Sequence, residues 1–295
     1  MVEPVTSAGG APAVGDRPGD PPGGIGTPVD LAAIRRVYPT RTVLGIPITV
    51  WRRDQAIASL VAAAGSGERL RVAFANPNFV TQLRRHGPPP ERMARFLVLN
   101  DGLGIDIASA ILFGAKFPDN LNGSDFTPAL LDALPAGTRV FVFGGRAEVN
   151  DRACDLLEAR HGIAICGRQH GFVEDAAFDV VIDRINAARP DVVLVALGNP
   201  GQEAFIDAAG DRLDAPLVLG VGALLDFVSG EVRRAPLWLR RLRGEWLFRL
   251  YLEPRRMARR YTVDTLGFII LVVLQRFRGR RTEGARQAEA LLSQR

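Results

Sequence analysis

The chain has 295 residues, of which 47% are hydrophobic, 23% charged and 7% aromatic, with a net charge of +5. That balance excludes a disordered polymer, a collagen-like fibre and a polytopic membrane protein, and the length suffices for a fully buried core. Between positions 233 and 281, fourteen arginines face three acids, a local charge of +11 that leaves −6 for the rest. An acidic-to-neutral body with a basic C-terminal region predicts one anionic partner for that region: a membrane surface, a nucleic acid or a phosphorylated substrate.

Residues 1–35 read as a disordered tail. Positions 1–30 alone contain thirteen glycines and prolines, too little apolar surface to offset the entropy of ordering. The segment lacks the basic start and apolar run of a signal peptide, so a cytoplasmic location is expected. The two cysteines, Cys154 and Cys166, form no CxxC pattern, which fits a reducing compartment and excludes a disulfide framework or zinc ribbon. His86, His161 and His170 are too scattered for a histidine-built metal site.

Residues 36–230 alternate short apolar runs with amphipathic stretches. Residues 42–50, with Pro47 inside, predict an edge strand or hairpin, since proline cannot donate to a central ladder. Strands are predicted at 72–75, 96–99, 139–143, 163–166, 192–197 and 217–221, nearly all apolar, as for strands covered on both faces. Helices are predicted at 105–113, 126–134, 147–160, 176–188 and 203–213. This alternation predicts an α/β fold: a Rossmann-like open, mostly parallel sheet with helices on both faces.

A basic helical appendage is expected over residues 231–281, and a flexible tail over 282–295. Trp238, Leu239, Leu242, Trp246, Leu247 and Leu250 fall at helical spacing among arginines. The apolar run at 266–274 is too short to span a membrane in a helix, which needs about 20 residues. Apolar and flanked by Arg276, Arg278, Arg280 and Arg281, it reads as an interfacial membrane anchor in preference to a helix packed on the core. Tryptophans and leucines between the arginines favour lipid, and no nucleic-acid partner is expected.

In an open parallel sheet, ligands bind beyond the carboxyl ends of the strands. Small and polar residues recur there: Asn76-Pro77-Asn78; Asn100-Asp101-Gly102-Leu103-Gly104; Gly144-Gly145-Arg146; Gly198-Asn199-Pro200-Gly201-Gln202-Glu203; and Gly222-Ala223-Leu224-Leu225-Asp226. Gly144 and Gly145, before a helix, would let backbone amides approach a diphosphate; an ordinary strand-to-helix turn is the alternative. Asp101 could accept a proton from a substrate hydroxyl, or merely cap the following helix. Glu203 and Asp226 read as first-turn charge and loop solvation. His170-Gly171-Phe172 would wall a pocket. Asn122-Gly123-Ser124-Asp125 suggests a helix cap supplied by Ser124 or Asp125. There is no P-loop, no complete dinucleotide fingerprint and no D-x-D triplet, so neither a metal nor a cofactor is expected.

Taken in order, these motifs resemble the WecG/TagA/CpsF family of bacterial glycosyltransferases. The likeness rests on Leu-Gly-Ile-Pro-Ile at 44–48, Asn76-Pro77, the Asn100 to Gly104 run, Gly123-Ser124-Asp125, Phe143-Gly144-Gly145 and His170-Gly171-Phe172. It continues through Leu-Gly-Asn-Pro-Gly-Gln-Glu at 197–203, Gly-Val-Gly-Ala-Leu-Leu-Asp-Phe at 220–227, Arg234-Ala235-Pro236, Glu-Trp-Leu-Phe-Arg at 245–249 and Glu-Pro-Arg-Arg at 253–256. It spans about residues 40–261.

The resemblance implies an inverting transferase, hexosyl or N-acetylhexosaminyl. It would move a sugar from a UDP-sugar to a polyprenyl-diphosphate-linked acceptor, peripherally attached to the inner face of the plasma membrane. It also implies that Asp101 is the general base with Asn76 beside it, that Gln202 and Asp226 serve the donor sugar and nucleotide, and that Gly171 and Phe172 lie near the nucleotide's base. Gly198, Asn199 and Gly222 would line the same donor site. Arg249, Arg256 and Arg259 would close over the diphosphate, a role suited to arginine forks. Departures from the family pattern at Phe74, Asn100, Asn120 and Phe172 bear on the donor sugar more than on the reaction. Homo-oligomerisation stays open. A non-catalytic nucleotide-binding module regulating polysaccharide assembly is the alternative, and a nicotinamide-dependent oxidoreductase fails on its missing fingerprint.

Overall fold

A computed structural model describes residues 30–89, 91–174, 177–236, 239, 248, 250–251 and 264–292, with side chains up to 278. In chain order the elements are α1 (Leu31–Val37), β1 (Thr40–Val43), β2 (Ile46–Thr49), α2 (Arg53–Ala64), β3 (Leu70–Ala75), α3 (Pro77–His86), β4 (Leu97–Asn100), α4 (Leu103–Phe113) and α5 (Gly123–Ala133). There follow β5 (Arg139–Gly144), α6 (Ala147–His161), β6 (Ala164–Gln169), α7 (Phe178–Ala187), β7 (Val192–Ala196), α8 (Gly201–Ala209), β8 (Leu217–Gly220), α9 (Leu224–Val228) and α10 (Thr265–Leu292).

The strands form one eight-stranded sheet in the order β1-β2-β4-β3-β8-β7-β5-β6. Only the β1–β2 pair is antiparallel. The expected open, mostly parallel α/β sheet is what forms, and the expected hairpin sits at its edge. A two-residue turn closes that hairpin with Leu44 at φ 50° and Gly45 at φ 90°. Two successive positive φ values match the twist that a tight hairpin needs.

Side chains alternate along the strands between two cores. Val72, Phe74, Leu97, Leu99, Val140, Val142, Leu194 and Leu219 face one side with α1, α2, α5, α6 and α9. Ala73, Val98, Phe141, Phe143, Val193 and Val218 face the other with α3, α4, α7, α8 and α10. Burial on both faces is why these strands read as continuous apolar runs.

The chain fills the sheet in two halves. Residues up to Asn100 build β1 to β4, and residues from Arg139 build β5 to β8; the halves join where β3 pairs with β8. At this seam the chain leaves in opposite directions, so the carboxyl ends of β3 and β8 flank a crevice.

Three expectations at the chain's ends are corrected. The ordered body starts before residue 36, because Ile34 of α1 is fully buried in the first core. The run at 266–274 does not act as a unit. Helical periodicity sends Phe268 and Val272 into the core against α3 and α4, while Leu266, Ile270 and Leu274 stay exposed. The helix also continues to Leu292, past the expected start of a tail at 282. Gln275 fastens it to the hairpin, accepting from the Leu44 amide at 2.8 Å and donating to the Thr42 carbonyl at 3.0 Å. Among the described residues no helix is long and apolar enough to cross a membrane.

Candidate active site

The carboxyl ends of the parallel strands carry every described residue expected to act on substrate. On the β3–β4 side, Asn76 follows β3 and caps α3, its Oδ1 accepting from the Phe79 amide at 2.9 Å. Pro77 at the first helical position has no N–H to leave unsatisfied. The other end of the Asn76 amide donates from Nδ2 to Asp101 Oδ2 at 2.9 Å. The Asp101 backbone amide is bonded to the Ala75 carbonyl at 2.8 Å. Asp101 is thus fixed by both backbone and side chain, half-buried at the end of β4.

Asp101 does not cap α4. That position belongs to Gly102, whose φ of 86° suits glycine, and whose amide donates to Asn120 Oδ1 at 2.8 Å. Asn100, fully buried, ties the same turn to the next loop through the Asp119 carbonyl at 2.7 Å. Gly104 allows α4 to pass α3, since a Cβ there would stand 2.2 Å from Pro77 Cγ. Asn76 and Asp101, 25 positions apart in sequence, become one hydrogen-bonded pair beside the seam.

On the β5–β8 side the residues serve close packing. Gly144 has φ 137°, and a Cβ on it would meet the Ala196 carbonyl oxygen at 2.3 Å. The Gly145 amide donates to Ala196 O at 3.1 Å, and its carbonyl accepts from the Gly171 amide at 2.8 Å. The Gly145 amide expected to approach a diphosphate is therefore committed to the neighbouring strand end. The N-terminus of α6 begins beyond it, at Ala147. Gly171 fits against Leu197 and Gly144 with no room for a side chain, whereas the adjacent Phe172 is 74% exposed.

The loop after β7 holds Gly198, Asn199 and Pro200, whose peptide bond to Asn199 is cis. Gln202 is buried, with both ends of its amide engaged: Oε1 accepts from the Gly222 amide at 2.9 Å and Nε2 donates to Glu203 Oε1 at 2.7 Å. Asn199 Nδ2 donates to the same Glu203 oxygen at 2.9 Å. Gln202 thus forms a strut between the loops after β7 and β8. Asp226 stands half-buried in the first turn of α9.

Two features were not foreseen from sequence. Glu203, read as an ordinary first-turn charge, is fully buried, and its Oε2 meets no hydrogen-bond partner among the described residues. Burial pushes its carboxyl up to about 7 against the pull of Gln202 and Asn199. Arg234, in turn, pairs with Asp125 at 2.8 Å and lies over the Phe227 ring at 5.2 Å. It thereby joins the Gly-Ser-Asp segment to α9. The cap of α5 is Asn122, which accepts from the Asp125 amide at 3.0 Å, in place of Ser124 or Asp125.

Arg249, Arg256 and Arg259 lie outside the described residues. Among the described residues no group of three or more His, Cys, Asp or Glu side chains could hold a metal ion.

Residues 41–282 match the model of the glycosyl transferase WecG/TagA/CpsF family. Two relatives carry the name N-acetylglucosaminyldiphosphoundecaprenol N-acetyl-beta-D-mannosaminyltransferase. One, from Bacillus subtilis (strain 168), is 32% identical over 59% of this chain and 68% of its own length. The other, from Bacillus spizizenii, is 34% identical over 56% of this chain and 64% of its own. The aligned segments thus cover about two thirds of either relative. With the match spanning both halves of the sheet, the seam and α10 through residue 282, the chain belongs to the glycosyl transferase WecG/TagA/CpsF family.

Proposed function

We propose that the protein is an inverting glycosyltransferase that moves an N-acetylhexosamine from a UDP-sugar to a polyprenyl-diphosphate-linked acceptor, with Asp101 as general base. The observation that carries this reading is the Asn76–Asp101 pair, 2.9 Å apart beside the β3–β8 seam. The relatives' names supply the substrate class: an N-acetylmannosaminyl group passed to an N-acetylglucosaminyl diphosphoundecaprenol.

Asn76 sets the rotation of the Asp101 carboxylate, which takes the proton from the acceptor hydroxyl as that oxygen attacks the anomeric carbon. The bond from that carbon to the donor phosphate breaks in the same displacement, so the configuration inverts and UDP departs. Phe172 offers an exposed ring for the uracil to stack on. The Gln202 strut holds the loop after β8 in place for the donor, with Gly198 and Asn199 supporting it. Arg249, Arg256 and Arg259 supply the cations for the departing diphosphate, which removes the need for a metal.

The acceptor's lipid places this chemistry at a membrane surface. The exposed stripe of Leu266, Ile270, Leu274 and Phe277 on α10 supports contact with it. The purified protein, given UDP-linked N-acetylmannosamine, N-acetylglucosamine or glucose and a polyprenyl-diphosphate-linked N-acetylglucosamine, is expected to release UDP and form an inverted linkage. A retained anomeric configuration would refute the single displacement. Saturable UDP binding without transfer to any acceptor would favour the regulatory module.

A further inference from the structure

A cavity opens at the opposite, amino-terminal ends of the strands, near the start of β3 and just before β4. It has a volume of about 740 Å³ and lies among α1, the turn before β4 and the end of α8. Four arginines line it: Arg35 and Arg36 from α1, Arg71 near the start of β3, and Arg95 just before β4. Arg71 is separated from Asn76 by most of a six-residue strand, roughly 15–20 Å at 3.3 Å per residue.

The charges in this cavity do not balance. Its carboxylates are Asp207 and Asp211. Asp207 is already paired with Arg92 at 2.8 Å, while Asp211, almost wholly exposed, reaches Arg71 only at 3.5 Å. Counting Arg92, five guanidiniums face two carboxylates.

The arginines also keep donors in reserve. Arg35 spends Nη2 on the Phe96 carbonyl at 3.2 Å and Arg71 spends Nη2 on the Gly210 carbonyl. The Nε of each is buried with no hydrogen-bond partner among the described residues. No described carboxylate pairs with Arg36 or Arg95. Burial holds both the Arg35 and Arg71 guanidiniums below their ordinary range, a cost that a bound anion would relieve.

We propose that this cavity is a binding site for a small phosphate ester, separate from the transfer site. Guanidinium forks match phosphate oxygens in pairs. The surplus of positive charge calls for a dianion or higher, and the volume, within the roughly 300–1,000 Å³ of small-molecule pockets, exceeds what bare phosphate fills. A ligand here touches the start of β3, whose far end presents Asn76, so it would meet the chemistry only through the sheet.

The test is amide hydrogen exchange on the full chain titrated with inorganic pyrophosphate at fixed ionic strength. The expected result is saturable protection of residues 92–97 and 210–213. It should be weakened at least tenfold in Arg36→Ala/Arg95→Ala and unchanged in Asp101→Asn. Both arginines are exposed, so the double variant should keep the wild-type melting temperature; single Arg95→Glu is a second probe should it not. Equal affinity in wild type and variants would overturn the proposal. So would protection confined to residues 198–203 and 220–226, or protection that never saturates.

Discussion

The two halves of the sheet meet at one seam and furnish it differently. From the β1–β4 half, Asn76 and Asp101 project side chains that are hydrogen-bonded to each other, Asn76 also accepting from the Phe79 amide. From the β5–β8 half come mainly bare backbone and buried struts: Gly144 and Gly171 without room for a Cβ, Gln202 tied at both ends, and Glu203 sealed beneath it. One half presents reactive groups, and the other shapes the wall they work against. Substitutions should therefore separate: in the first half they should alter turnover at little cost in folding, and in the second they should unsettle the fold first.

The largest effect on stability is expected at Gly144. Alanine there would force a Cβ to 2.3 Å from the Ala196 carbonyl at a φ of 137°, costing about 3 kcal/mol or more. Gly222, at φ 57° with open space around its absent Cβ, should lose only about 1 kcal/mol on the same change. Urea denaturation of both variants checks the contrast, and equal losses would break it.

At Asn76 the order reverses. Asn76→Asp keeps the capping oxygen for Phe79 but sets a second carboxylate against Asp101. Turnover should fall about a hundredfold with stability within about 1 kcal/mol of wild type. Wild-type turnover in that variant would show that the pairing is dispensable.

Glu203 should give the second half a dependence on pH. Its folded carboxyl titrates near 7 and its unfolded one near 4.5. Below 4.5 both states hold the proton and the contribution is complete. Between 4.5 and 7 only the folded state keeps it, so stability declines as pH rises through that window. Glu203→Gln retains the oxygen that accepts from Asn199 and Gln202 and should flatten this decline in melting temperature. An unchanged profile would place the titration elsewhere.

The smallest effect is predicted at Phe172. Truncation to alanine should leave stability within about 0.5 kcal/mol and weaken UDP binding by about 1 kcal/mol, roughly fivefold. Calorimetric titration decides it.

Much of this frame was readable in the residues. Each strand predicted between positions 72 and 221 forms, with its boundaries moved by no more than three residues. Burial on both faces leaves the central strands as apolar runs that no amphipathic helix imitates, whereas β6, at the sheet's edge, is only partly buried along its length. The helix α2 was harder to see: its Arg-Asp-Gln start and alanine-rich end make no contrasting stripe. The helix α3 was hidden because Asn76-Pro77 reads equally as a loop, although proline at a first helical position is a start signal. In α10, adjacency in sequence suggested one apolar block, and only the helical turn shows that alternate residues face core and solvent.

At the site, spacing located the strand-end loops and singled out Asp101, but it could not say where amides and side chains spend their hydrogen bonds. That information is tertiary, which is why the Gly145 amide looked available and Glu203 looked solvated. The arginine-lined cavity draws on α1, β3, the turn before β4 and the end of α8, and nothing local in any of them marks it.

The most direct trial of the account is single-turnover transfer by Asp101→Asn with a UDP-sugar and a lipid-linked acceptor, alongside its UDP affinity. Transfer is expected to fall by at least about a hundredfold while UDP affinity and melting temperature stay at wild-type values. Transfer at the wild-type rate would contradict the assignment of Asp101 as the base.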